Sequence, residues 1–303
     1  MTDFSDFQGK IRTLLPEIEI RFAEPMAKHT SFRIGGDVWA MAFPKSSEEI
    51  SRCLKAGRTL GVPCYILGAG TNVLAPDEGM AALVLCLKDA LDGLERLDET
   101  GIRVAAGVTM TRAAMFAANQ GLSGLEFAHG IPGTVGGGVY MNAGAYGGEI
   151  GSVCTRVKVL DPDGTIREYS AEEMEFSYRH SALENRGGIV LEAEFALTPG
   201  DPEEIKEKQR ELLRRRSASQ PLNLPSAGSA FKRPAGGYAA KLIDEAGLRG
   251  FAIGGAQVSE KHTGFVVNTG NATAAQVRQL LKVVADKVAQ TSGISLEPEI
   301  RIW

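Results

Sequence analysis

The sequence predicts an α+β chain, with a strand-rich α/β part over residues 1–200 and a smaller α+β part over 201–303. Three observations carry that expectation. Short apolar or alternating runs take turns with segments of helical period along the whole length. Glycines gather at 35–36, 68–70, 130–138 and 144–151 instead of spreading evenly. Thr198-Pro-Gly-Asp-Pro202 interrupts both patterns, as a domain boundary does. At 303 residues the chain is long enough for more than one core.

Each element can be justified in order. Residues 38–43, Val-Trp-Ala-Met-Ala-Phe, read as a strand closed by Pro44, which has no N–H to extend a ladder. Ser46-Ser-Glu-Glu49 reads as a capping box opening a helix to about residue 60. Residues 62–67 form a short apolar strand, and Gly68-Ala-Gly70 follows directly. Further strands are expected at 82–87, 94–97 and 102–106. Thr109 starts a helix whose Ala/Met/Phe stripe ends near Gly121. After the glycine-dense stretch come strands at 153–160, 165–169 and 189–197. Val157 and Val159 alternate into Asp161-Pro-Asp-Gly164, a hairpin turn.

In the second part, Asp201 caps a charged helix over 202–216, with Pro202 at its first position. A Ser/Pro/Gly loop over 217–237 leads to a helix from Tyr238 to Ala246 that stops at Gly247. Strands are expected near 251–258 and 264–268. Thr273 and Gln276 make a second capping box. The helix that follows, to about Gln290, places Val277, Leu280, Leu281, Val284 and Val288 on one face. A last strand, 294–302, carries Glu299.

Composition excludes several classes. The formal charge of −4 offers no basic surface for nucleic acid, and Arg214-Arg-Arg216 reads as a solvated helix end. No apolar run reaches the ~20 residues of a membrane span, and the N-terminus lacks a signal pattern. Cys53, Cys64, Cys86 and Cys154 are scattered without metal-ligand spacing, and His180 and His262 add no metal pattern. Buried thiols of a reducing compartment are expected, hence a cytoplasmic protein without a metal.

The glycines suggest a phosphorylated cofactor. They number 36, well above the ~7% norm. A glycine loop after a strand can aim backbone N–H groups at phosphate oxygens. Gly68-Ala-Gly-Thr-Asn72 is neither a Gly-x-Gly-x-x-Gly fingerprint, since Val73 holds the last position, nor a P-loop. Gly130-Ile-Pro-Gly-Thr-Val-Gly-Gly-Gly138 is dense enough to resist a packing explanation and is read as ligand-contacting. Two such loops suggest a large dinucleotide held by backbone in a non-Rossmann manner. His129, beside Gly130, is read as lining that pocket or capping a loop. Three further islands offer a hydroxyl, a guanidinium and a carboxylate. They are Ser229 in Asn223–Pro234, Arg179 in Phe176–Ser181 and Glu299 in Leu296–Trp303.

One ordered series ties these together: Thr30-Ser-Phe-Arg-Ile-Gly-Gly36, Gly68-Ala-Gly-Thr-Asn-Val-Leu74, Gly130–Gly138 with Met141-Asn-Ala-Gly-Ala-Tyr146, Ser177-Tyr-Arg179, Gly228-Ser-Ala-Phe-Lys232 and Glu297-Pro-Glu299. From about residue 20 to the end, this series resembles the UDP-N-acetylenolpyruvoylglucosamine reductase family of early peptidoglycan synthesis. The compact stretch between Arg179 and Arg216 is similar to the family's shorter, type II form, which lacks an insertion carrying an extra substrate tyrosine. Thr71, Gly138 and Ala75-Pro76 depart slightly from the usual pattern, and none removes a reactive group.

The resemblance implies a fold. Residues 1–88 and 89–200 would be the two subdomains of a vanillyl-alcohol-oxidase-type FAD-binding domain, and 201–303 a substrate domain whose final strand packs back on the first two. It also implies non-covalent FAD with NADPH as hydride donor. FAD would be held by Arg33, by Gly68, Ala69, Gly70, Thr71 and Asn72, and by Gly130, Ile131, Pro132, Gly133, Thr134, Gly136, Gly137, Asn142 and Ala143. Tyr178, Lys232, Tyr238 and Lys261 would hold the UDP-linked enolpyruvyl substrate. Hydride from flavin N5 would go to the vinyl carbon. Arg179, whose planar fork suits a carboxylate, and Glu299 would stabilise the resulting enolate, and Ser229 would protonate it. A monomer with no nucleic-acid or membrane partner is expected. Two rival readings are an alcohol or sugar-acid oxidase with tethered flavin, and a nucleotide-sugar sensor without chemistry. Acid precipitation separates the first, since a tethered flavin stays with the protein. Retention of Arg179, Ser229 and Glu299 together speaks against the second.

Overall fold

The computed structural model describes residues 3–88 and 90–303, and it has the expected α+β class. The chain forms two units, neither continuous in sequence. The first takes the residues up to Phe22, then Trp39–Ala69 and Ala81–Arg215. The second takes Ala23–Val38, Gly70–Met80 and Arg216–Trp303.

The first unit holds most of a four-stranded sheet in the order Ile20–Pro25, Asp37–Ala42, Met80–Cys86, Cys64–Leu67. The last two strands are parallel, with Cys64 opposite Leu83 and Leu67 opposite Cys86. Parallel strands are usually covered on both faces, and Ala82 through Cys86 are all buried. Helices Phe4–Leu14 and Ser47–Leu60 give Phe7, Ile11, Ile50 and Cys53 to the same core as Leu83 and Leu85. Ser46 caps the second helix by accepting from the Glu49 N–H at 3.2 Å. The Glu49 carboxylate accepts from the Lys45 N–H instead of reaching Ser46, so the expected box is one-sided.

A second sheet in this unit runs Ile166–Ser170, Cys154–Leu160, Ile189–Ala196, Gly101–Ala105, Leu94–Arg96, with each neighbouring pair antiparallel. Period-2 alternation sends Val104, Val157, Val159, Ala193 and Phe195 into one core with helices Met110–Asn119 and Val135–Tyr140. The other side carries the cross-strand ion pairs Lys158–Glu192 (3.1 Å) and Arg103–Glu194 (2.7 Å). Such partly exposed pairs help register more than stability.

The second unit contains an antiparallel sheet in the order Ser226–Ser229, Phe265–Asn268, Ala256–Val258, Ala252–Ile253. The single strand expected over 251–258 is a hairpin, because Gly254 takes a left-handed φ of +57° and turns the chain. Helix Ala274–Ser292 begins with the expected Thr273/Gln276 box, both bonds present, and buries Val277, Leu280, Leu281, Val284 and Val288. The strand expected over 294–302 shrinks to Arg301–Ile302, parallel to Val73–Leu74. Pro298 has no N–H for a continuous ladder, so Glu299 precedes that strand and does not lie in it.

The two units do not cut the chain at 88/89 and 200/201. Segments 23–38 and 70–80 belong with the C-terminal part because remote polar bonds stitch them there. Ser31 Oγ donates to Ser226 O at 2.6 Å, and Asn268 Nδ2 donates to Phe32 O at 3.1 Å. The Asp77 carboxylate accepts the Ala274 and Ala275 N–H groups at 2.7 and 3.0 Å. Among the described residues no helix is long and apolar enough to cross a membrane, and no cluster of side chains could hold a metal.

Candidate active site

In the first unit the two glycine loops meet. Gly68, directly after strand Cys64–Leu67, lies so close to Thr134 that a Cβ there would stand 2.6 Å from Thr134 Oγ1. Thr134 caps helix Val135–Tyr140 by accepting the Gly137 N–H at 3.3 Å. Part of the glycine density has a packing cause after all, which corrects the reading from sequence. A Cβ at Gly136 would come within 2.9 Å of Ala106 Cβ, and one at Gly138 within 2.7 Å of Met110 Sδ. The Gly136 N–H is also spent on Ala106 O, and the Ile131 N–H on Ala128 O.

What remains is a cradle. Gly133 takes a φ of +139°, which an L side chain rarely adopts. Among the described residues the N–H groups of Gly68, Ala69, Gly133 and Thr134 meet no protein acceptor. A Cβ at Gly137 would meet only Thr134 Oγ1, at 3.6 Å. Loose amide donors without side-chain bulk fit a diphosphate, so the residues present suit FAD. Burial holds the His129 imidazole below its ordinary pKa, and its buried Nδ1 has no hydrogen-bond partner among the described residues.

Arg179 sits in the same unit on a tight turn. His180 N–H donates to Ser177 O at 3.1 Å, and Ser177 N–H donates back to His180 O at 3.2 Å. Arg179 adopts a left-handed φ of +56°, unfavourable for an L side chain. Its guanidinium lies 4.9 Å from the Tyr178 ring centroid and donates from Nη2 to Gly144 O at 3.2 Å. Buried neighbours hold the turn. Ser181 Oγ donates to Tyr140 O at 2.7 Å, and Asn142 Nδ2 donates to Ser177 O at 2.9 Å. Asn142 is 0% exposed, and its Oδ1 accepts the Gly151 N–H at 2.8 Å. Its side chain therefore serves the protein interior and is not available to the cofactor that the resemblance gave it.

In the second unit the structure brings Ser229 and Glu299 together along the chain backbones. Glu299 N–H donates to Ala230 O at 2.9 Å, Lys232 N–H donates to Glu297 O at 2.9 Å, and Phe231 bridges Pro298 between them. Ser229 follows Gly228 at φ +76°, where the register between Ser226–Ser229 and Phe265–Asn268 shifts. Such a bulge re-aims the side chain that follows it. Asn72, expected on the cofactor, donates from Nδ2 to Glu299 O at 3.2 Å and accepts the Arg301 N–H at 3.0 Å. Gly70 packs against His29 O and accepts the Ser31 N–H.

The other expected residues are more scattered. Lys232 Nζ pairs with Glu297 at 2.6 Å, Lys261 Nζ donates to Ser217 O at 2.6 Å, and Tyr238 is 61% exposed with Arg233 over its ring. Arg33 is exposed at φ +56°. Sequence reasoning missed Ser31, Asp77 and Asn268, which fasten the segments bearing Arg33 and Asn72. Nothing local to Asp77 points to a helix that begins far along the chain at Ala274.

Comparison with known proteins fits this layout. Residues 220–303 match the C-terminal domain family of UDP-N-acetylenolpyruvoylglucosamine reductase, and 39–170 match an FAD binding domain family. The reductase of Caldanaerobacter subterraneus subsp. tengcongensis is 45% identical over 97% of this chain and 96% of its own. That of Agathobacter rectalis is 44% identical over 98% of both chains. The crystal structure of the Thermus caldophilus enzyme superposes with a TM-score of 0.78 at 35% identity, covering 95% of this chain and 99% of that one. The α+β fold thus joins an FAD-binding part to the family's own C-terminal domain. By sequence over 97% of the chain and by fold, the protein belongs to the UDP-N-acetylenolpyruvoylglucosamine reductase family.

Proposed function

We propose that this enzyme uses NADPH and FAD to reduce the enolpyruvyl ether of UDP-N-acetylglucosamine to UDP-N-acetylmuramate, a cytoplasmic step of peptidoglycan synthesis. The activity and the cofactor are those of the family, and the assignment of individual residues is our own. FAD, when bound, carries the hydride from NADPH to the vinyl carbon of the substrate. Its diphosphate is assigned to the open backbone of Gly68, Ala69, Gly133, Thr134 and Gly137, and Arg33, Gly130 and Ala143 are assigned to FAD as well. Tyr178, Lys232, Tyr238 and Lys261 are assigned to the sugar nucleotide. Residues 1–88 and 89–200 are proposed as the cofactor subdomains and 201–303 as the substrate domain. The working form is proposed to be a monomer without membrane or nucleic-acid partners.

Arg179 holds the substrate carboxylate with its planar fork and stabilises the charge that develops there. Glu299 polarises the same carboxylate. The Ser229 hydroxyl delivers a proton to the α-carbon. A serine is a weak acid in water, but an enolate carbon is a strong acceptor, and Lys232 lies three residues along the chain to relay charge. The observation that carries this reading is the backbone pairing of the Ser229 and Glu299 segments, 70 residues apart in sequence, through the Glu299–Ala230 bond.

The test is an absorbance spectrum of purified protein followed by an NADPH oxidation assay. A yellow protein that releases FAD on acid treatment, and oxidises NADPH only when the enolpyruvyl substrate is added, supports the reading. Flavin that stays with the acid precipitate, or oxidation driven by an alcohol or sugar acid, would favour the oxidase alternative.

A further inference from the structure

We infer that Asn142 is a positioning residue for Arg179, acting on the substrate step and not on the cofactor. The inference rests on the role proposed for Arg179. Its ground is a bonding pattern that engages both ends of a fully buried amide. Asn142 is 0% exposed, its Nδ2 donates to Ser177 O at 2.9 Å, and its Oδ1 accepts the Gly151 N–H at 2.8 Å. Ser177 is the first residue of the four-residue turn that carries Arg179, and its carbonyl also accepts the His180 N–H that closes the turn. The same carbonyl oxygen thus fixes the turn internally and fastens it to the protein.

The need for such a fastening is visible in the backbone. Arg179 stands at φ +56° without being glycine. Left to itself, an L residue leaves that region, and strained residues persist only where their surroundings over-determine them. Asn142 is itself at φ +42°, which asparagine tolerates better than most side chains. Both the residue type and its two bonds therefore match one task. Arg179 Nη2 reaches Gly144 O at 3.2 Å, so the Asn142–Gly144 segment contacts the turn at its base and at its guanidinium. A contact to FAD would need exposed surface on Asn142, and at 0% exposure none is left.

The experiment compares Asn142→Gly and Asn142→Asp. Glycine keeps the positive φ and deletes both bonds. Aspartate keeps the acceptor for Gly151 and loses the donor to Ser177. FAD affinity is read from quenching of flavin fluorescence. Flavin reduction by NADPH and its reoxidation by the enolpyruvyl substrate are followed separately, and both variants are repeated in an Arg179→Ala background.

The expected result has two parts. FAD affinity and NADPH reduction stay within about 3-fold of wild type while reoxidation slows by at least about 10-fold. In the Arg179→Ala background the same substitutions change reoxidation by less than about 2-fold, because residues acting as a unit do not add. Loss of FAD with an intact substrate step would overturn the inference, as would equal losses in both backgrounds. A protein that fails to fold with either replacement would overturn it too, since Asn142 would then hold the domain and not the turn. If Arg179→Ala alone leaves reoxidation untouched, the role of Arg179 fails first, and the two failures are distinguishable.

Discussion

The reactive groups assigned here sit on strained or irregular backbone. Arg179 is left-handed, Ser229 follows a left-handed Gly228 at a bulge, and Glu299 precedes its strand after Pro298. Their identities were legible because hydroxyl, guanidinium and carboxylate stand beside turn residues in the sequence. Their supports were not, since Asn142, Ser181 and Asn72 act through bonds to remote backbone. Strain at Arg179 has a measurable consequence. Arg179→Gly should be more stable than Arg179→Ala by about 1 kcal/mol, because only alanine retains the cost of a left-handed φ. Thermal unfolding of the two FAD-loaded variants checks this, and equal melting temperatures would contradict it. Arg179→Lys should keep the charge and lose the fork, so substrate affinity and reoxidation rate should both fall. A lysine variant with wild-type reoxidation would show that a point charge suffices.

At the scale of elements, the glycine stretch 130–138 divides into positions closed by packing and positions left open, a distinction that composition cannot make. Gly136→Val should destabilise the first unit by about 1–3 kcal/mol through overpacking against Ala106. Gly137→Ala is the sharper probe. Its Cβ meets nothing closer than Thr134 Oγ1 at 3.6 Å, and alanine favours a helix over glycine by roughly 1 kcal/mol. The variant should therefore fold at least as stably as wild type and bind FAD more weakly by at least about 10-fold. Unchanged affinity in a titration of apoprotein would remove Gly137 from the cofactor site.

The helix Ala274–Ser292 was readable from its capping box and its apolar face. Its second cap, Asp77, was not, because that carboxylate arrives from a loop far away in sequence. Asp77→Ala should cost about 1 kcal/mol, as the loss of a helix N-cap does. Chemical denaturation checks this, and an unchanged midpoint would show the carboxylate bonds to be dispensable.

For the whole molecule, the main strands and helices after residue 38 followed from hydrophobic period and turn chemistry, whereas helix Phe4–Leu14 and strand Ile20–Pro25 were not anticipated. The partition into two discontinuous units did not follow either, because it depends on bonds such as Ser31–Ser226 that leave no periodic trace. The cysteines report on the folded whole. Burial pushes the thiols of Cys53 and Cys154 up from the ordinary value of 9.0 to about 12. A raised acid keeps its full contribution below the unfolded pKa and loses it as pH rises toward the folded one. Stability should therefore decline between about pH 9 and 12, with thiolate absorbance and loss of circular dichroism rising together. Thiolate forming near pH 9 in still-folded protein would contradict that. The central claim is that the groups proposed for the substrate serve reoxidation of the flavin and not its reduction, and stopped-flow of Ser229→Ala tests it most directly. NADPH should bleach the flavin at the wild-type rate, and colour should return on substrate addition about 10²–10⁴ times more slowly, the usual loss for one general acid. Recovery at the wild-type rate would contradict the account and move the proton to another donor, with Glu299 first to be tried.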